Sequence, residues 1–207
     1  MGSKQYFDKV ADQWDTMRKA FFSEAVREKA MSTAGVLPGR LAADIGAGTG
    51  FITEGLLQRG LKVIAVDQSE AMIHQMKNKF GGVAMIDCRV GEAGAIPIED
   101  DSVDYAFANM FLHHVEDPQS AIMEMARILK PGGTLVITDL DKHDFEFLKT
   151  EHNDRWMGFR RSDVKRWLVK SGLKGVKVDC AGENCCAKSS SGCESASISI
   201  FVASGKK

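Results

Sequence analysis

A glycine-rich stretch and one acidic residue after it are the parts of this sequence whose types and spacing most directly suggest chemistry. The stretch reads Asp44-Ile45-Gly46-Ala47-Gly48-Thr49-Gly50, and its glycines allow a sharp turn and a close backbone approach to a ligand. The start of the helix that follows adds unpaired amides. Asp67 ends the next predicted strand, 21 residues after Gly46, where a carboxylate can accept hydrogen bonds from two ribose hydroxyls. Together they predict a site for a nucleoside-containing ligand.

Enzymes that bind dinucleotides use a similar turn, so the spacing of the glycines matters. The dinucleotide fingerprint needs its third glycine three positions after the second, because the helix packs closely on the strand there. This sequence has the bulky Phe51 at that position. The spacing therefore disfavours a nicotinamide or flavin oxidoreductase, which stays open as an alternative.

The elements around the turn alternate between strand and helix. Strands are predicted at 41–45, 62–66, 83–90, 103–108 and 134–139, and helices between them end near Leu57, Gly81 and Leu129. This alternation predicts a parallel sheet with helices on both faces and right-handed crossovers. Two more strands, 175–180 and 196–205, have no helix between them and predict an antiparallel hairpin. The predicted fold class is α/β: a doubly wound, seven-stranded, Rossmann-like sheet, mostly parallel with a C-terminal antiparallel β hairpin.

The two ends of the chain differ from this alternating core. One continuous amphipathic helix is predicted near the N-terminus, from an apolar stripe of Tyr6, Phe7, Val10, Ala11, Trp14 and Met17. A second helix is predicted from Ser23 to Gly35, and a capped amphipathic helix begins at Ser162.

The composition of the sequence limits the kinds of partner that the protein can bind and the cell compartment in which we expect it. The sequence has 27 basic and 28 acidic residues and a formal net charge of −1, whereas a nucleic-acid or membrane-surface binder needs a basic face. It has no apolar run long enough to span a bilayer and no apolar signal core. We therefore expect a cytoplasmic protein without nucleic-acid or membrane partners. Its five cysteines, an odd number, do not predict a disulfide framework.

Four motifs, in order along the chain, resemble those of class I S-adenosylmethionine-dependent methyltransferases. They read ADIGAGTGF, VIAVDQSEAMI, GEAGAIPIEDDSVDYAFANMFLHHVEDP and RILKPGGTLVITDL. They are similar in style to the quinone-biosynthesis type (methyltransferase type 11), and the likeness runs from about Tyr6 to Leu173. The segment DLDKHDFEFLKTEHNDRWMGF also resembles methyltransferase domains fused to arsenic-responsive repressors. The resemblance implies a single domain over 1–207, made of a helical lid (1–38), a cofactor-binding core (39–140) and an acceptor-side segment with the hairpin (141–207).

The resemblance also implies a role for each matching residue toward the cofactor, S-adenosyl-L-methionine. Asp44 organises the glycine loop and the methionine end of the cofactor, and Asp67 holds the ribose. Glu92 stands where the family often has an Asp that contacts the adenine amine. The aromatic stripe near the N-terminus closes the pocket, or alternatively packs as ordinary core. The implied cofactor-binding set is Asp44, Gly46, Ala47, Gly48, Gly50, Asp67, Gln68, Met72, Glu92, Ala93, Ala108, Asn109 and Tyr6.

Methyl transfer to a small-molecule acceptor sets modest demands on the protein. The reaction is an in-line displacement with a neutral leaving group, so the main task is to align the reactants and exclude water. A hydroxyl or amine acceptor also needs a general base, whereas a thiolate does not. The candidate bases are His113 and His114, after the fourth strand, and His143, after the fifth. Each has an alternative role as a packed or turn-capping residue.

Three cysteines fall between the two hairpin strands, in the polar segment ENCCAKSSSGC. We expect the sixth strand to run parallel to the first five, which would place this segment as a flexible loop on the ligand-binding edge. Thiolates suit soft ligands. The loop could thus gather Cys185, Cys186 and Cys193 around a thiophilic acceptor such as arsenite, although their spacing matches no standard zinc pattern. The alternatives are redox sensing, no role, or a metalloid-sensing protein that binds the cofactor without turnover.

Overall fold

The fold is built on one seven-stranded sheet, described for residues 2–207 from a computed structural model. The strands are β1 (Leu41–Ile45), β2 (Lys62–Asp67), β3 (Ile86–Val90), β4 (Val103–Asn109), β5 (Leu129–Leu140), β6 (Lys174–Lys188) and β7 (Ser195–Lys206). The helices are α1 (Ser3–Val10), α2 (Trp14–Phe21), α3 (Glu24–Ala34), α4 (Phe51–Gln58), α5 (Glu70–Lys79), α6 (Pro118–Ile128), α7 (Phe147–Glu151) and α8 (Arg161–Lys170), with a 3₁₀ turn at Leu112–His114.

The strand order is β3-β2-β1-β4-β5-β7-β6. The first five strands pair in parallel, and β7 pairs antiparallel with both β5 and β6. Since β6 is antiparallel to β7, it runs parallel to the first five strands, as the sequence predicted. The fold class is thereby confirmed: a mostly parallel, doubly wound sheet that ends in an antiparallel hairpin.

Alternating side chains along the strands bury both faces of the sheet. In β4, Tyr105 and Phe107 join the core on one face, while Ala106 and Ala108 join the core on the other. Apolar strands that are buried on both sides are typical of parallel sheets covered by helices. Among residues 2–207, no helix is long and apolar enough to cross a membrane.

The N-terminal stripe does not form the single helix that its periodicity predicted. The chain makes a turn at residues 11–13 and starts again as α2, although no glycine or proline stands there. The break lets the rings of Phe7 and Trp14 meet edge to face, with centroids 5.3 Å apart. Tertiary packing of these rings therefore overrides the local helical pattern.

The boundaries of other elements also differ from the prediction. β3 begins at Ile86 rather than Val83, and Val83 and Met85 are exposed before it. β5 begins earlier than predicted, at Leu129, because Leu129 pairs with Val103 of β4. The Lys-Pro-Gly-Gly segment that follows is held by a hydrogen bond from Gly132 N–H to Lys207 O, just after β7, at 2.8 Å. α8 starts at Arg161 and is not capped by Ser162.

The largest correction concerns the cysteine segment. β6 continues through Lys188, so Cys185 pairs with Ile198 and Cys186 with Ser197 across the hairpin. The prediction of a loop was wrong for residues 183–188, because the pairing with β7 resumes after an irregularity between Cys180 and Asn184. Residues 189–194, which include Cys193, form the turn between the two strands.

Candidate active site

A cavity of about 490 Å³ opens at the carboxyl ends of β1, β2 and β4. The order of the strands reverses at β1, which is the position where ligands bind in doubly wound folds. Most of the implied cofactor-binding residues line this cavity: Asp44, Gly46, Ala47, Gly48, Asp67, Gln68, Met72, Glu92, Ala93 and Asn109. Gly50, Ala108 and Tyr6 are outside its wall. Gly50 caps α4, Ala108 is buried core, and Tyr6 lines a neighbouring cavity.

The glycine turn presents bare backbone to the cavity. Gly46 and Gly48 have φ of +69° and +54°, a left-handed conformation that favours glycine. A Cβ on Gly46 would overlap the ring of Phe111. The turn is tied to β2, because the N–H groups of Gly46 and Ala47 donate to Val66 O at 2.9 and 3.0 Å. Its shape is therefore fixed without side chains in the way of a ligand.

Asp67 braces the turn from the end of β2. Its Oδ2 accepts a hydrogen bond from Gly48 N–H at 2.8 Å, and its Oδ1 accepts one from Ser69 N–H at 2.9 Å. Burial raises the pKa of this carboxyl, although both bonds oppose the rise. Each carboxylate oxygen has a further lone pair. The group can thus hold the loop and still accept two ribose hydroxyls.

Asp44 has a structural role beneath the cavity. Its Oδ2 accepts hydrogen bonds from Thr53 N–H at 2.9 Å and from Thr53 Oγ1 at 2.7 Å, which joins β1 to the first turn of α4. Only 1% of the residue is exposed, and burial raises the pKa of its carboxyl to about 7.

Helices α1 and α2 lie over the glycine turn. Ser69 Oγ donates to Asp8 at 2.6 Å, and Thr49 Oγ1 donates to Asp15 at 2.5 Å. The half-buried rings of Phe7 and Trp14 form part of the cavity wall. Phe7 and Trp14 therefore cover one side of the cavity, as the residues of a lid would, and they are not fully buried in the core.

The sequence did not single out Arg18, which the structure places in the cavity wall. The residue is only 7% exposed, and its guanidinium carbon lies 4.1 Å from the ring centroid of Phe51. Its Nη2 pairs with Glu24 at 3.3 Å, while its Nε has no hydrogen-bond partner among residues 2–207. A basic residue on an amphipathic helix usually faces solvent, so only the fold reveals this buried cation.

A second cavity, of about 50 Å³, adjoins the first. The two share wall residues Phe7, Trp14, Phe22, Met110 and His114. The remaining wall of the smaller cavity includes a polar cluster of Tyr6, His113, His152, Asp154 and Cys185. This small polar space lies next to the nucleoside-sized one.

His113 is fixed between two buried carboxylates. Its Nδ1 lies 2.7 Å from Asp139 Oδ1, and its Nε2 lies 3.9 Å from Asp154 Oδ1. Asp139 is held in turn by the N–H groups of Phe111 and Leu112, at 3.1 and 2.8 Å. Burial lowers the pKa of His113, but the charges of Asp139 and Asp154 outweigh it and raise the pKa to about 9. In the isolated protein His113 is therefore a proton donor rather than a base.

His114 differs from His113 in its protonation, because it has a free nitrogen lone pair. Its Nδ1 lies 3.3 Å from the carbonyl oxygen of Asn153. Since a carbonyl only accepts, this contact requires the hydrogen on Nδ1 and leaves the lone pair on Nε2. Burial and the charge of His113 lower the pKa of His114 well below 6.5. Of the three candidate bases, His114 borders both cavities, and His113 borders the small one. His143 borders neither, and its Nδ1 accepts from Phe145 N–H at 3.3 Å.

The structure does not bring the three cysteines together. Cys185 is buried in the small cavity, while its neighbour Cys186 is exposed, because successive side chains of a strand point to opposite faces. Cys193 is exposed in the turn after β6. Burial raises the pKa of the Cys185 thiol to about 12. Only one thiol of the predicted trio thus faces the site.

The fold and the cavity define a class of protein: a doubly wound α/β protein with a cavity at its switch point that is large enough for a nucleoside-containing ligand. Comparison with known proteins gives the family. Residues 43–137 match the family described as "Methyltransferase domain". The chain is 30% identical to the demethylmenaquinone methyltransferase of Thermobifida fusca, over 82% of this chain and 69% of the relative. It is also 30% identical to the enzyme of that name from Renibacterium salmoninarum, over 73% of this chain but only 64% of the relative's length.

A solved structure shares the fold. A SAM-dependent methyltransferase from Thermotoga maritima superposes with a TM-score of 0.71 at 21% identity, over 98% of this chain and 99% of the other. The chain belongs to the class I S-adenosylmethionine-dependent methyltransferases. The enzymes of this family use S-adenosylmethionine as their cofactor.

Proposed function

We propose that this enzyme transfers the methyl group of S-adenosylmethionine to a small-molecule acceptor whose nucleophilic atom reaches the small polar cavity. The observation that carries the proposal is that the two cavities are adjacent and share five wall residues. A cofactor in the larger cavity would have its sulfonium end near this shared wall. An acceptor in the smaller cavity would then face the methyl group.

The larger cavity suits each part of the cofactor. Its volume of about 490 Å³ is in the usual range for small-molecule sites, roughly 300–1,000 Å³. Asp67 would accept the ribose hydroxyls, and Gln68, Met72 and Glu92 would surround the adenine. Arg18 supplies a buried positive charge for the carboxylate of the methionine moiety, a pairing that charge-assisted hydrogen bonds strengthen.

The transfer needs alignment above all. A lone pair of the acceptor attacks the methyl carbon, the carbon–sulfur bond breaks, and its electron pair stays on sulfur to give neutral S-adenosylhomocysteine. The rings of Phe7 and Trp14 would exclude water from the path. A hydroxyl or amine acceptor also loses a proton, and the Nε2 lone pair of His114 is positioned to accept it at the boundary of the cavities.

The side chains that line the small cavity indicate which kind of nucleophilic atom the acceptor carries. A trivalent arsenic centre held by three thiols would need Cys185, Cys186 and Cys193 together, and here Cys185 alone lines the cavity. Its remaining polar wall offers imidazole, carboxylate and phenol groups. We therefore favour an oxygen or nitrogen acceptor over arsenite.

An acceptor screen tests this function. The protein would be incubated with S-adenosylmethionine and panels of phenols, alcohols, amines, thiols and arsenite, and S-adenosylhomocysteine would be measured. We expect turnover with an oxygen or nitrogen acceptor and none with the Asp67→Ala variant as a cofactor-site control. Turnover with arsenite alone, lost in the Cys185→Ser variant, would instead favour the thiophilic acceptor. Cofactor binding without turnover on small molecules or cell-extract fractions would contradict the proposal.

A further inference from the structure

Three side chains at the small cavity bring possible metal-ligand atoms close together. His113, His114 and Asp154 each offer one nitrogen or oxygen, and these atoms lie within 4.8 Å of one another. The Nε2 of His113 is 3.9 Å from Asp154 Oδ1. Ligands bound to zinc at about 2.0–2.2 Å are roughly 3–3.5 Å apart. To coordinate an ion, His113 Nε2 and Asp154 Oδ1 need to approach each other by about 0.5–1 Å, and a pair as far apart as 4.8 Å by about 1.5 Å.

Asp139 orients the first of these ligands. It accepts the hydrogen bond of His113 Nδ1 at 2.7 Å, which directs Nε2 toward Asp154. A carboxylate behind a histidine is the usual support of a metal-bound imidazole, since it fixes the ring and makes the nitrogen more basic. Asp139 is itself anchored by the N–H groups of Phe111 and Leu112. Asp139 and the two N–H groups that hold it thus form a second layer of contacts around the proposed ligands, as is usual in metal sites.

The charges and the space around the cluster also suit an ion. Asp139 and Asp154 are two buried carboxylates beside imidazoles, and a dication would offset their negative charge. The cavity of about 50 Å³ holds an ion with one water or acceptor atom, since water occupies about 30 Å³ in the liquid. His152 also lines the cavity, and its Nε2 is buried without a hydrogen-bond partner among residues 2–207.

We propose that His113, His114 and Asp154 bind a divalent transition-metal ion at the acceptor side of the cofactor cavity. Two imidazoles and one carboxylate suit zinc, iron(II) or cobalt(II), whereas magnesium prefers an all-oxygen set. The ion would keep an open position toward the cavity. There it would bind the oxygen of the acceptor and lower its pKa. This role rests on the proposed function, but binding of the ion does not. His114 Nδ1, which lies 4.0 Å from Asp154 Oδ1, would coordinate the ion in place of its contact with Asn153 O, and its hydrogen would move to Nε2. With the ion bound, His114 would therefore be a ligand and not the base.

Metal binding can be measured in the absence of both the cofactor and the acceptor. Protein treated with EDTA is titrated with CoCl₂, and the visible absorption of bound Co²⁺ is followed, then displaced with ZnCl₂. We expect one Co²⁺ per chain. The isosteric Asp154→Asn and the variant His113→Gln should each weaken binding at least about tenfold to a hundredfold, since even supporting residues have effects of this size. His74→Gln, on an exposed face of α5, is the matched control and should bind as the wild type does.

The outcomes separate this inference from the proposed function. Near-ultraviolet circular dichroism and S-adenosylhomocysteine binding establish that each variant is folded. A wild type that takes up no stoichiometric Co²⁺, or folded Asp154→Asn and His113→Gln variants that bind like His74→Gln, would overturn the metal site. Full turnover after EDTA treatment would overturn the role in acceptor activation while leaving methyl transfer intact. A protein that binds Co²⁺ but methylates no acceptor would contradict the proposed function alone.

Discussion

Replacement of Asp67 probes the cofactor site most directly. The carboxylate holds the glycine turn through Gly48 N–H at 2.8 Å and the start of α5 through Ser69 N–H at 2.9 Å, and it is proposed to accept both ribose hydroxyls. Asp67→Ala removes all four interactions. Asp67→Asn keeps one carbonyl oxygen as an acceptor but loses the charge and the second oxygen, so it separates support of the loop from recognition of the ribose.

The magnitude follows from the ribose contacts. A hydrogen bond to a charged group contributes about 1.5–3 kcal/mol, so the loss of two costs about 3–6 kcal/mol of binding free energy. At about 1.4 kcal/mol per factor of ten, Asp67→Ala should raise the dissociation constant for S-adenosylmethionine about 10²- to 10⁴-fold. Asp67→Asn loses about half of this energy and should raise it about 10- to 100-fold.

Isothermal titration calorimetry measures both constants, and circular dichroism checks that the variants are folded. The matched control is Asp87→Ala on the adjacent strand β3, an exposed carboxylate that pairs with Arg89 at 2.7 Å and does not line the cavity. Its affinity should equal that of the wild type. A folded Asp67→Ala protein whose affinity stays within about threefold of the wild type would refute the ribose assignment, since two charged hydrogen bonds cannot be lost at so small a cost.

Three further predictions concern the rest of the cavity. Arg18→Met should raise the dissociation constant for S-adenosylmethionine about tenfold, because it removes one charge-assisted pairing with the cofactor carboxylate while keeping the apolar stem; unchanged calorimetry would exclude that pairing. Amide hydrogen exchange across α1 and α2 should slow when S-adenosylhomocysteine binds, because these helices lie over the cavity, and equal rates would make them ordinary core. The folded-state pKa of Asp44, about 7 instead of 3.8, means that the folded protein holds a proton between about pH 4 and 7 that the unfolded chain has released. The free energy of unfolding should therefore fall as pH rises through this window, by up to about 4 kcal/mol from this group; denaturant titrations should show a shallower fall in Asp44→Asn, and an identical slope would contradict the assignment.

The sequence by itself determined the sheet and the cofactor turn. Alternating apolar residues in the strands, glycines at 46 and 48, and an acidic residue at the end of the second strand are local patterns. Each depends on the steric or hydrogen-bonding needs of a few consecutive residues, and the order of strands and helices then limits the topology. For this reason the parallel sheet, the hairpin, and the glycine turn with its acidic partner Asp67 could be predicted without coordinates.

The tertiary structure alone decided which residues line the small cavity. Its polar cluster draws on segments far apart in the chain, with His113 after β4, Asp139 in β5, Asp154 before α8 and Cys185 in β6. No local pattern marks Asp154 or Arg18 as buried, since both residue types are usually exposed. The register of β6 on β7 likewise turned Cys185 inward and Cys186 outward, and a shift of one residue would have reversed them. Such placements depend on contacts between residues distant in sequence, so only the assembled fold fixes them.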